Sequence, residues 1–318
     1  MKAVVLGVGL CLFMGAASAQ VQSEVEREKS KGLVLYNQQK REEALEKFLV
    51  AAEAGDATAQ YYVGELLRLR NGTIVGDEAR EWYERAAEQG SLYSMFRLVQ
   101  ANHCFLFENC HEDEWWRRLM KHARERAATG DTDAMMVLWK AREGQEWLQQ
   151  AAEAGDGHAQ HALASQFRPM AQFPLLTEMN RAVYERWLQA SAESGHPPGM
   201  VEFAGVLAAR GDHAAAFQWR MKAAEAGYVD GVWEYAEGLM DVDGKLGIVP
   251  DPVKSYALVS LLVEFDEEME FYFSIQSPWN TLDSSLSASQ REEAMRFREH
   301  WERTRPPLSY FIPVYGFN

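Results

Sequence analysis

From Tyr36 onward, small and large apolar residues recur in fixed register along the chain. The string Ala-Ala-Glu-Ala-Gly stands at 51–55, 151–155 and 223–227, with variants at 86–90, 126–130 and 191–195. The six glycines lie 35, 40, 25, 40 and 32 residues apart, which suits a repeat whose loops vary in length. Counting back from each glycine, Ala44, Ala79 and Ala216 stand at minus eleven, and Trp82, Trp147, Trp187 and Trp219 at minus eight. With the small residues at minus four and minus three, these positions trace one stripe of a helix. Glycine ends that helix, because it enters the left-handed region at no steric cost. Asp56, Ser91, Asp131 and Asp156 follow their glycines directly, placed to cap the next helix.

The second helix of each pair has columns of its own. Four residues after the glycine come Ala59, Ser94, Ala134, Ala159, Gly199 and Gly231, all small. Tyr61, Phe96, Met136, His161, Val201 and Trp233 stand at plus six, and Val63, Leu98, Leu138, Leu163, Phe203 and Tyr235 at plus eight. Small residues let two helix backbones approach, and the larger ones fill the space between stacked pairs. Neither helix buries its stripe alone. After the last pair, Ser287 and Gln290 form a capping box ahead of Ala294, Phe297 and Trp301, which predicts a terminal capping helix. Beyond Pro306 the tail carries Leu308, Tyr310, Phe311, Ile312, Val314, Tyr315 and Phe317. So apolar a tail is expected to pack back on its own chain, with a docking peptide for a partner as the alternative.

The segments 72–90 and 247–262 carry the features that identify the repeat. They hold a Gly-Thr-Ile-Val or Gly-Ile-Val loop, Asp77 and Asp251 in the capping place, and, in the first, the pair Trp82-Tyr83 before an Ala-Ala-x-x-Gly ending. In these the chain resembles the Sel-one-like repeat family, relatives of the tetratricopeptide repeats, over about 36–266. The resemblance implies an all-α fold: a right-handed α-solenoid of about six helix pairs with a C-terminal capping helix. Two copies depart from the pattern. His122 stands in the tryptophan column of the third, and the fourth compresses its first helix into the residues after Gly144.

Three organisational segments follow: 1–19, 20–266 for the repeats, and 267–318 for a loop, the capping helix and the tail. The first reads as a secretory signal. Lys2 precedes an apolar run from Ala3 to Met14, and Ala17 and Ala19 place cleavage after Ala19. The run is short for a bilayer span, and Leu10 before Cys11 disfavours lipidation. The bacterial style of this end points to the periplasm.

Charge narrows the partners. Lys and Arg total 32 against 47 Asp and Glu, a net charge of -15, or -16 once Lys2 is removed with the signal. Nucleic-acid affinity comes largely from counterion release by basic residues, so such a chain is a poor candidate for it; the acidity attracts basic protein surfaces on one reading and only keeps the chain soluble on the other.

Candidate chemistry is sparse. Cys104 and Cys110 remain after signal removal, and an even pair in an oxidising compartment suggests a disulfide. Six helical residues rise about 9 Å, beyond the ~7 Å limit for bridged Cα atoms, so the bridge requires a loop. The repeat register supplies one between a helix ending near Asn102 and another starting at Glu112, Asp113 and Glu114. Flanking His103 and His111 offer zinc as the competing reading, but ligands adjacent at both ends make poor tetrahedral geometry. His158 and His161, three apart on one helix, read as core or half-exposed histidines. Trp115, Trp116, Arg117 and Arg118 form a recognition patch on one reading, and one core and one surface tryptophan on the other. Asp266, Glu267, Glu268 and Glu270 read as a solvated charge run, and Asp241–Gly244 as a turn. No G-x-S-x-G, HExxH, P-loop, C-x-x-C or Ser-x-x-Lys motif occurs.

Taken with the resemblance, whose members commonly scaffold envelope or signalling complexes, this points to a periplasmic adaptor holding an unidentified protein or peptide, without catalysis or cofactor. The alternative from the same resemblance is a cell-wall-directed hydrolase or penicillin-binding protein.

Overall fold

Each of the six column glycines adopts a left-handed backbone, with φ from +82° at Gly227 to +99° at Gly55, and each ends a helix there. The turn is closed by two nested main-chain hydrogen bonds. Gly55 N–H donates to the Ala52 carbonyl (3.0 Å) and Asp56 N–H to that of Ala51 (3.0 Å). The same pair of bonds recurs at Gly90, Gly155, Gly195 and Gly227. The following residue then turns outward to start the next helix. Asp56, Asp131 and Asp156 accept from Ala59 N (2.8 Å), Ala134 N (3.0 Å) and Ala159 N (2.7 Å), and the Ser91 hydroxyl from Ser94 N (3.3 Å).

The computed structural model of the chain describes residues 22–102, 113–168, 174–241, 244–265 and 282–314. The signal segment 1–19, the Cys104–Cys110 pair with His103 and His111, the run from Asp266 to Glu270, Val242 and Asp243 of the turn, and Tyr315 and Phe317 lie outside the described residues. What is described is all-α, without a strand, and contains no helix long and apolar enough to cross a membrane.

Two compact units are distinguished: Met1–Thr129 with Ile312–Asn318, and Gly130–Phe311. The first contains α1 (22–37), α2 (Arg41–Glu53), α3 (Ala57–Arg70), α4 (Asp77–Glu88), α5 (Leu92–Ala101) and α6 (Glu114–Ala127). From α2 on, each helix packs on the next. In the second, α7 (Thr132–Lys140), α8 (Gln145–Glu153), α9 (Gly157–Gln166), α10 (Pro174–Glu193), α11 (Pro197–Ala209), α12 (His213–Glu225), α13 (Val229–Gly238) and α14 (Pro252–Phe265) continue the same tandem order. There α15 (Ala288–Thr304) packs on α14, opens with the Ser287–Gln290 capping box, and buries Ala294 and Trp301 as expected of a capping helix. Each unit is thus a tandem helix-pair solenoid.

The interior follows the columns. Ala44, Ala79 and Ala216 are buried, as are Ala51, Ala86, Ala151 and Ala223 at minus four. Small plus-four residues sit against the preceding helix: a Cβ added at Gly231 would lie 2.7 Å from the Ala223 Cβ and 2.8 Å from the backbone of Ala223 and Ala224. The plus-eight column, from Val63 to Tyr235, is buried throughout.

Three expectations are corrected. Asp77 is the first helical residue of α4, not its cap, which is Gly76 without a side-chain bond; Asp251 does cap α14, accepting from Lys254 N (3.0 Å). The tryptophan column is half-buried, and the core position is the next residue along, filled by Phe48, Tyr83, Ala123, Leu148 and Leu188. One residue turns the side chain by about 100°, so each indole lies along the half-buried flank of its helix. Arg85, Arg186 and Lys222 cover the rings of Trp82, Trp187 and Trp219 at 4.5, 4.9 and 3.9 Å. In the plus-six column, His161, Val201 and Trp233 are only half-buried.

Within the second unit the tail lies against the Gly227 turn. Ser309 N–H donates to the Gly227 carbonyl (2.9 Å), and Val229 N–H donates to the Ser309 carbonyl (3.2 Å).

Paired substitutions separate the roles of helical glycines. Gly231→Ala lowers unfolding free energy by about 1–3 kcal/mol, since its methyl meets backbone that cannot step aside. Gly205→Ala, on the exposed side of α11 with nothing within 4 Å of an added Cβ, raises it by up to about 1 kcal/mol. Urea titrations of the two proteins distinguish these outcomes.

Candidate functional site

The heptad spacing of Tyr61, Glu65 and Arg68 puts all three on one face of α3. Tyr83 on α4 and Arg97 on α5 reach the same carboxylate, and Glu65 is completely buried. Its Oε1 accepts from Tyr83 Oη (2.6 Å) and Arg97 Nε (2.6 Å), and its Oε2 from Arg97 Nη2 (2.9 Å) and Arg68 Nη2 (2.9 Å). Arg97 Nη1 continues to Gln100 Oε1 (2.8 Å). Burial pushes the Glu65 carboxyl up, but the charges and hydrogen bonds of Arg97 and Arg68 outweigh it and hold it below the ordinary value. Burial, and after it the Glu65 charge, pushes Tyr36 to about 12 and Tyr83 well above the ordinary phenol. Both hydroxyls are therefore neutral at any physiological pH, and that of Tyr83 donates to Glu65.

Around this hub the aromatic rings lock one another. Tyr61 is packed by Tyr62, Tyr83 and Tyr93 at centroid distances of 5.3, 6.1 and 5.6 Å. Its hydroxyl leaves the cluster and donates to the Val314 carbonyl (2.6 Å). Two residues earlier, Ile312 N–H donates to Asn37 Oδ1 (3.0 Å). The Asn37 amide is itself oriented, because its Nδ2 donates to the Leu33 carbonyl one turn back on α1 (3.0 Å). One fixed acceptor and one fixed donor therefore hold residues 312–314 by their main-chain groups.

In the second unit, His158 and His161 on α9 meet His196 at the start of α11. The His158 and His196 rings lie nearly parallel at 5.8 Å, and His161 stands 5.4 Å from His196. Burial, then the neighbouring imidazoles, pushes His196 down to about 3, and burial lowers His158, so both pack as neutral rings. His161 Nε2 lies 3.3 Å from Glu202 Oε2, and Arg168 pairs with the same carboxylate. Among the described residues no group of three or more His, Cys, Asp or Glu is placed to hold a metal ion. A cleft of about 470 Å³ opens between α12 and α13, bordered by His213, Arg220, Glu237, Asp241 and Lys245.

Of the tryptophan–arginine group, Trp116 is buried in α6 and Arg117 is exposed. Trp115 is half-buried beneath Arg118 at 4.5 Å, whose guanidinium grips Glu88 with two bonds of 2.7 and 2.8 Å. Asp113 caps that helix through Trp116 N (2.9 Å).

Sequence reasoning missed α1, Asn37, the Glu65 hub and His196. It also missed a seventh glycine turn, where Gly211 at φ +86° precedes Asp212, the cap of α12. The repeated Ala-Gln of 59–60 and 159–160 held a usable signal: Gln60 and Gln160 donate to the Ala52 and Ala152 carbonyls at 3.1 and 3.0 Å.

No known family model matches the chain, and no curated protein does. Among solved structures it is similar to a protective antigen present in uropathogenic Escherichia coli strains that displays an SLR fold. The identity is 19%, over 91% of this chain and 63% of that one, with a TM-score of 0.47. This chain thus spans less than two thirds of that antigen's length. A Sel1 repeat protein from Oxalobacter formigenes is similar at 20% identity, over 76% of this chain and 98% of that one, with a TM-score of 0.39. Within each unit, the helix pairs, glycine turns and small-residue columns of this chain form an all-α tandem helix-pair array.

Removing one member of a buried charge cluster strands the others. Glu65→Gln is expected to cost about 3 kcal/mol of unfolding free energy. The same exchange at the exposed Glu88 leaves the midpoint of thermal unfolding nearly in place. Equal midpoints for the two variants would show that the Glu65 hub carries no stability.

Proposed function

We propose that the chain is an exported, non-enzymatic interaction protein that holds an extended segment of a partner protein on its repeat surface. The observation that carries this reading is the strip formed by Asn37 and Tyr61, which already holds a segment of chain through main-chain hydrogen bonds. Main-chain recognition supplies affinity that tolerates varied sequences, and flanking side chains supply selectivity. The two groups are oriented beforehand, Asn37 by Leu33 and Tyr61 by its neighbouring rings, so little freedom is lost on binding.

The net charge of -15 favours encounter with a basic partner and disfavours nucleic acid. Export to the periplasm rests on the pattern of 1–19, with a mature chain starting at Gln20.

Crosslinking the full chain in intact cells, followed by purification from the envelope fraction, is expected to recover one reproducible protein partner joined to a chain that begins at Gln20. A chain recovered only in the cytoplasm, or without any repeated partner, would overturn the reading.

A further inference from the structure

The segment on the strip is the chain's own, and its composition specifies what could replace it. Ile312 uses its N–H and Val314 its carbonyl, while Pro313 between them has no N–H to offer. The strip therefore reads alternate residues and asks nothing of the middle one. Ile312 and Val314 are half-buried, so small aliphatic side chains fit beside the contact points. Just before them, Phe311 holds a left-handed φ of +51°, a conformation disfavoured for a bulky residue, with its N–H bonded to Ser309 Oγ (2.9 Å). A bend that is strained on entry makes the following residues easier to release.

We infer that residues 312–314 are a resident, exchangeable occupant of the strip, and that the partner displaces them with an extended aliphatic-Pro-aliphatic segment. This rests on the proposed peptide-holding role and adds to it the partner's chemistry and a built-in competitor. Because the occupant is tethered, its effective concentration is high, and a free peptide meets the strip mostly filled.

The test uses full-length protein and a fluorescein-labelled synthetic peptide of residues 306–318, with binding read by anisotropy. Ile312→Pro removes the donated N–H from the resident tail without touching the strip. The Ile312→Pro protein is expected to bind the peptide at least tenfold more tightly than the wild type, and adding Asn37→Ala is expected to reverse that gain. Equal binding by wild type and Ile312→Pro, or binding by neither, overturns the inference. Hydrogen exchange on the unmodified protein is a second, independent readout. The Ile312 amide is expected to exchange through local release while the α3 amides stay protected. Exchange of Ile312 only together with α3 would make the tail a fixed part of the fold and overturn the inference. Recovery of the same crosslinked partner by wild type and Ile312→Pro, with no peptide exchange, would leave the adaptor role standing and remove only the tail's part in it.

Discussion

The left-handed glycine turn is the constraint on which the rest of this protein depends. Its two nested hydrogen bonds satisfy carbonyls at the end of one helix, and in four of the six turns the side chain after the glycine caps the start of the next. A turn so short fixes the angle between paired helices. That angle brings the small residues at minus four and plus four together, close enough at Gly231 that even a methyl group does not fit. Once backbones approach this closely, the larger side chains at plus eight are buried between stacked helices, while half of the plus-six column stays half-buried.

The same geometry explains how a chain with so few chemical motifs presents an ordered surface. In the first unit, α3, α4 and α5 bring Glu65, Tyr83 and Arg97 into one fully bonded cluster. A carboxylate buried so completely is tolerated because two guanidiniums and a phenol satisfy it. The cluster's aromatic rim sets Tyr61 as a donor, and α1 sets Asn37 as an acceptor, for the main chain of residues 312–314. Rigidity of the helix pairs thus becomes preorganisation of the strip.

Much of the architecture was legible because it repeats. Six glycines, their following caps and the small-residue columns all stand at constant offsets, and all six turns form as the offsets require. Tryptophan misled by one position: its recurrence signals a preferred environment, but the indole suits a flank covered by Arg or Lys better than the tight seam taken by Tyr83 or Leu148. Asp77 misled because aspartate favours the first helical turn as well as the cap. The Glu65 hub was not legible, since Glu65 and Arg97 are 32 residues apart and each alone reads as a surface charge. Asn37 and the tail are farther apart still, 275 residues from Asn37 to Ile312, and no local pattern joins them.

Residue-resolved amide exchange on the native protein tests the turn most directly. The N–H groups of Asp56, Ser91, Asp156, His196 and Tyr228 are expected to be protected to the same extent as the helices that flank them, because each donates the outer bond of its turn. Free exchange at these five amides beside protected helices would contradict the account, since the pairs would then be joined by open loops and their register left unset.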